Sequence, residues 1–150
     1  MKLPILMLVF FSFSAFSAFS AVTPDECIKI NNGIGSAMYI SMLDDLKLER
    51  ASINKEKTKA KIVSITPVTY PLAIVYGKEE KRLSGEHSED RTTAEEYAQG
   101  FMADHARNII AEYTFENKEG KKNVFLASAF ASDNDCSVRF NGYIIVKRDF

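Results

Sequence analysis

Two cysteines, Cys27 and Cys136, bracket almost everything that follows an apolar leader, and no others occur in the 150 residues. The leader reads MKLPILMLVFFSFSAFSAFSA, with Lys2 as a short cationic start, an apolar stretch over residues 3–13, and a Ser/Ala zone ending at Ala21. This is the pattern of a secretory signal peptide. Residues 1–21 are therefore expected to be removed, with the cut near Ser20, leaving residues 22–150 as one domain of ordinary size. Serines from Ser12 onward break the apolar run, which stops short of the roughly 20 residues a spanning helix needs. No stable membrane anchor is expected after cleavage. Cys27 follows the polar Pro24-Asp25-Glu26, which argues against lipid attachment at the cut.

For a chain exported to the periplasm or beyond, an even cysteine count implies a disulfide. A Cys27–Cys136 bond would close a loop of about 110 residues, worth roughly 4–5 kcal/mol if unstrained. There is no C-x-x-C spacing to suggest a redox pair. The staple forces the two ends of the mature chain together.

Between the cysteines the hydrophobic period changes along the chain. Met38, Tyr39, Met42, Leu43 and Leu46 fall on one helical face, and that helix begins near Gly35 or as early as Pro24, a residue suited to a first turn. Residues 58–66 are rich in β-branched side chains and read as a strand. Residues 67–76 hold two prolines and predict a short or edge strand. The mixed-charge stretch 77–90 reads as a long exposed loop, with a turn at Ser84-Gly85. Thr92/Glu95 and Thr93/Glu96 are overlapping capping boxes. They open a helix with Ala94, Tyr97, Ala98, Phe101, Met102, His105 and Ile109 on one stripe, and Gly100 is expected to admit a close neighbour.

The last forty residues predict a β-meander. Strands over 109–116, 123–131 and 136–147 are joined by turns at Asn117–Gly120 and Asp133–Asp135, with a kink at Asn141-Gly142. The expected fold is α+β: an antiparallel sheet of about four to five strands, one or two helices packed on one face, and one disulfide.

The charge balance narrows function. The leader takes one of the 19 basic residues and none of the 20 acidic ones. The near-neutral remainder excludes a basic nucleic-acid-coating protein and an acidic disordered tail.

Chemical constellations are sparse. Glu86-His87-Ser88-Glu89-Asp90 has metal-binding residue types but no H-x-x-x-H spacing to fix a geometry, so no metal is expected. His105 reads as a packed or hydrogen-bonded histidine. No G-x-S-x-G elbow supports a serine nucleophile. Gly33-Ile34-Gly35 lacks the third glycine of a phosphate loop and reads as a turn. Paired carboxylates at Glu79-Glu80 and Glu95-Glu96 read as solvated or as caps. Lys55, Lys57, Lys59 and Lys61 alternate, as a basic stripe or as a polar outer face guarding a sheet edge. Phe125, Phe130, Phe140 and Tyr143 read as core.

The sequence thus leads to a non-enzymatic exported protein without a cofactor, whose partner is another protein. An inhibitor or immunity-type reading places the contact on the acidic loop 78–91, through Glu79, Glu80, Glu86, His87, Glu89 and Asp90. At the level of layout alone, an early Cys, a helix, a meander and a late Cys, the chain resembles the colicin M immunity proteins; no residue motif is shared. Two further readings are a ligand- or lipid-binding module lined by Phe101, Met102 and the meander aromatics, and an assembly accessory that pairs through an edge at residues 68–76.

Overall fold

The computed structural model describes residues 21–85 and 91–150. The expected signal segment, apart from Ala21, lies outside them. Four helices and a four-stranded antiparallel sheet make an α+β fold: α1 (Pro24–Cys27), α2 (Gly33–Leu46), β1 (Lys59–Pro67), α3 (Tyr70–Ser84), α4 (Ala94–Met102), β2 (Arg107–Glu116), β3 (Lys122–Ala131) and β4 (Arg139–Lys147). The strands lie in sequence order, β1-β2-β3-β4.

The meander follows its turn chemistry. Asn117 Oδ1 accepts the Glu119 and Lys121 amides, and Gly120 takes φ 81°; this closes β2 on β3. Ser132 Oγ accepts from the Asn134 and Asp135 amides in the next turn. The expected kink is present: the β3–β4 register shifts between Ser128 and Ala129, opposite Asn141, and Gly142 takes φ 112°. The third strand begins at Arg139 rather than Cys136.

Period-two alternation gives the sheet two faces. On one, Ile109, Ala111, Tyr113 and Phe115 of β2 join Phe125, Ala127 and Ala129 of β3 under Ile34, Met38, Tyr39 and Met42 of α2. Tyr113, Phe115, Phe125 and Tyr143 form a chain of ring contacts at 5.4–6.0 Å. The Tyr113 hydroxyl donates to the Ile28 carbonyl at 3.0 Å, which satisfies the one polar atom of that buried ring. The Cys27–Cys136 disulfide is present, with a Cα–Cα distance of 5.0 Å. It pins α1 to the segment before β4. Gly33 and Gly35 start α2 instead of making a turn. Side chains there would overlap the Cys136 and Lys29 carbonyls, so glycine lets the α1–α2 corner close over the staple.

Phe130 projects from the opposite face, between the buried Ala129 and Ala131. It meets Ala73 of α3 and Ala98 and Phe101 of α4 in a second, smaller core. Three expectations are corrected at this face. Residues 67–76 are not an edge strand, and 77–84 are not loop; together they supply α3. Pro67 ends β1, whereas Pro71 occupies the first turn of α3, where its missing N–H removes no bond. The polar half of α3 remains helical because its buried stripe is narrow, Ala73 and Gly77, while Glu79 and Arg82 pair one turn apart at 2.6 Å. An edge-pairing role for residues 68–76 falls with the strand.

The α4 capping box forms at Thr93 and Glu96. The helix stops at Met102 and turns through Asp104 and His105, both at positive φ; Ile109 belongs to β2. Gly100 has nothing within 4 Å of where a Cβ would lie. The close approach is at Gly77, where a methyl would overlap the Ala94 carbonyl.

Candidate partner-binding surface

The residues expected to meet a partner are divided by the fold. Glu79 and Glu80 sit on α3, one turn from its end. Glu86, His87, Glu89 and Asp90 lie outside the described residues, in the connection to α4. Glu79 accepts from Arg82 Nε and Nη2 at 2.9 and 2.6 Å, and these hydrogen bonds hold its carboxyl below the usual carboxylate range. Glu80 faces inward and meets Arg139 at 2.8 Å. Its carboxylate thereby helps to hold α3 against β4.

Arg139 was no candidate in the sequence, yet it organises this region. Its side chain is 10% exposed and lies 4.5 Å from the Tyr76 ring centroid and 5.8 Å from that of Phe101. Its Nη1 donates to Asn141 Oδ1 at 3.1 Å. The chain of contacts continues, with Asn141 Nδ2 donating to Ser128 Oγ and Ser128 Oγ to Asn108 Oδ1. Desolvation of a guanidinium is tolerated because an acid, an amide and aromatic faces surround it. Arg139 thereby fastens α3 and α4 to the sheet. The sequence carries no signal for it: Arg139 falls between Ser137 and Asn141 in an ordinary polar–apolar alternation.

Phe101 packs at 5.9 Å on Phe130 and 6.3 Å from Tyr97. Phe101 and Phe130 thus belong to a core, whereas Phe140 and Tyr143 of the meander line an open groove. The lysine series also divides. Lys57 pairs with Glu116 at 2.6 Å and Lys61 with Glu112 at 3.0 Å, while Lys55 Nζ lies 4.4 Å from the Tyr39 ring centroid. His105 is 92% exposed and approaches Asp133 at 3.2 Å; Arg107 holds the other Asp133 oxygen at 2.8 Å. Histidine here is hydrogen-bonded as expected, but not packed. Both sulfurs are in the disulfide. Among the described residues no group of three or more His, Cys, Asp or Glu is arranged to hold a metal ion, and no helix is long and apolar enough to cross a membrane.

Beside this hairpin a groove runs along the outer side of β4. Asn141, Gly142 and Tyr143 form its floor, Ser41 and Asp45 of α2 one wall, and Tyr76 and Leu83 of α3 the other. Tyr143 Oη donates to Asp45 Oδ2 at 2.8 Å. Burial, then this hydrogen bond, push the Tyr143 hydroxyl up to about 12. Ile144, Ile145 and Val146 are exposed along the same strand.

Compared with protein families, curated proteins and solved structures, the chain gave no match, so the layout resemblance to the colicin M immunity proteins gains no support there.

Proposed function

We propose that the protein works outside the cytoplasm as a non-enzymatic inhibitor or immunity-type protein that grips a toxin or hydrolase through the acidic connection between α3 and α4. A disulfide is compatible with an exported protein. The observation that carries the reading is the bracing of the two helices that flank the connection. The two helices meet at the Gly77–Ala94 approach, the capping box fixes the start of α4, and Arg139 ties α3 to β4. Between these anchors the sequence places Glu86, His87, Glu89 and Asp90. The acidic charge that the sequence places between these anchors would steer a basic active-site rim toward it.

The test is charge reversal of Glu86, Glu89 and Asp90 to Lys in the mature chain. The parent is expected to retain a secreted hydrolase or toxin from extracts and to suppress its activity. The triple variant is expected to lose both effects with an unchanged melting temperature. Undiminished capture and inhibition by that variant would remove the reading.

A further inference from the structure

We infer that the groove along β4 receives an extended segment of a partner protein, added as a fifth strand, in which cationic and apolar side chains alternate. The groove uses none of residues 86–90. β4 ends the strand order, so its outer backbone groups have no strand neighbour among the described residues. Such an edge is a template for another chain unless it is blunted. The two edges differ in this respect. β1 carries Lys59 and Lys61, with Val63 and Ile65 exposed beyond them, whereas β4 presents three successive exposed aliphatics, Ile144, Ile145 and Val146, at 46–63% exposure beside a groove. Register shifts beside Asn141 and Val146 leave Gly142–Ile145 as the regular stretch, paired to Ser128–Phe125 of β3.

The walls specify the side chains of the incoming strand. Successive residues of a strand point to opposite faces, so alternate positions would meet α2 and α3. The α2 wall offers Asp45, oriented by Tyr143. Asp44 and Asp45 occupy the last turn of α2, which has no basic residue. Acids at the negative end of a helix are electrostatically misplaced, and a cation supplied from outside would complement them. The α3 wall offers Leu83, 60% exposed, and Tyr76; Glu79 there is already matched by Arg82. A Lys or Arg toward Asp45 and an aliphatic residue toward Leu83 therefore repeat with a period of two. This is strand addition with side-chain selection on both sides.

The experiment uses the ¹⁵N-labelled mature protein and three capped octapeptides, (Lys-Val)4, (Glu-Val)4 and (Lys-Ser)4. With (Lys-Val)4, the amides of Gly142–Ile145 are expected to shift and to exchange at least tenfold more slowly. The acidic and the serine peptides should leave them unchanged. Asp45→Asn keeps an acceptor for Tyr143 but removes the charge, and Leu83→Ser alters an exposed position; each should weaken (Lys-Val)4 binding about three- to tenfold. Three results would overturn the inference: equal response to both charge signs, shifts away from β4, or β4 amides already protected in a dimer of the protein alone. The last would make a second copy the occupant. Because neither variant touches residues 86–90, hydrolase capture reports on the inhibitor reading independently.

Discussion

The two faces of the sheet are covered in physically different ways. The α2 face is large and aromatic, and the disulfide joins its α1 margin to the segment before β4. The α3–α4 face holds a smaller cluster around Phe130 and relies on one close glycine contact and one charged clamp. Apolar burial is non-directional and spread over many atoms, so no single contact holds the first face. The second depends on a few groups whose geometry must be kept, and local opening is expected to begin there.

The comparison is tested most severely by removing the staple. Cys27→Ser with Cys136→Ser is expected to lower stability by about 2–5 kcal/mol, read from urea unfolding, with the α2 face and the hairpin melting together. Separate transitions would show that the faces fold independently.

Gly77→Ala comes next. Helix propensity alone favours alanine by about 1 kcal/mol, but the added methyl meets backbone at Ala94, and overpacking of this kind typically costs about 1–3 kcal/mol. Net destabilisation is expected, with faster amide exchange in α3 and α4 and unchanged exchange in α2. A stabilised variant would mean that the helices separate freely.

Arg139→Met keeps an unbranched apolar stem but removes the guanidinium. A loss of about 1–2 kcal/mol is expected, again concentrated in hairpin exchange rates. Combining it with Glu80→Gln should cost less than the sum of the two; strict additivity would show that the pair does not interact.

The smallest effect distinguishes the faces by pH. Burial raises the Tyr113 hydroxyl far above its ordinary value, and Tyr143 lies at about 12; both belong to the α2 face. Below pH 10 these phenols are neutral whether the chain is folded or unfolded, so their contribution is fully present. As pH rises from about 10 to 12 the unfolded chain releases these protons before the native one does, and stability falls. For the partly exposed Tyr143 the loss is about 1 kcal/mol after allowance for solvent. Tyr143→Phe should flatten the decline in urea midpoint between pH 9 and 11.5. An equal slope in both proteins would remove Tyr143 as a contributor.

Much of the fold was legible because it rests on local rules. Residues 58–66, the three meander strands and the capping box at Thr93–Glu96 announce themselves by period, turn residues and caps. The failures cluster on α3. Ile74 and Val75 favour strands, two prolines lie nearby, and the following charged run resembles loop, so local signals pointed away from a helix that packing against α4 stabilises. The helical stripe that the sequence carries on to His105 ends at Met102. Of the candidate site, Glu79 and Glu80 were identified as adjacent acids. Their roles differ: Glu79 pairs with Arg82 three positions along its own helix, whereas Glu80 turns to Arg139, about sixty positions away.

Chain composition and spacing alone determined the α+β class, the order of the meander and the cysteine pairing, since two thiols permit only one intramolecular bond and alternation forces a two-faced sheet. Tertiary structure decided that residues 70–84 are helical, that Arg139 lies buried among Tyr76, Phe101 and Glu80, and that β4 rather than residues 68–76 forms an exposed apolar edge. Those outcomes follow from contacts between segments distant in sequence, whose energies no local pattern of residues contains.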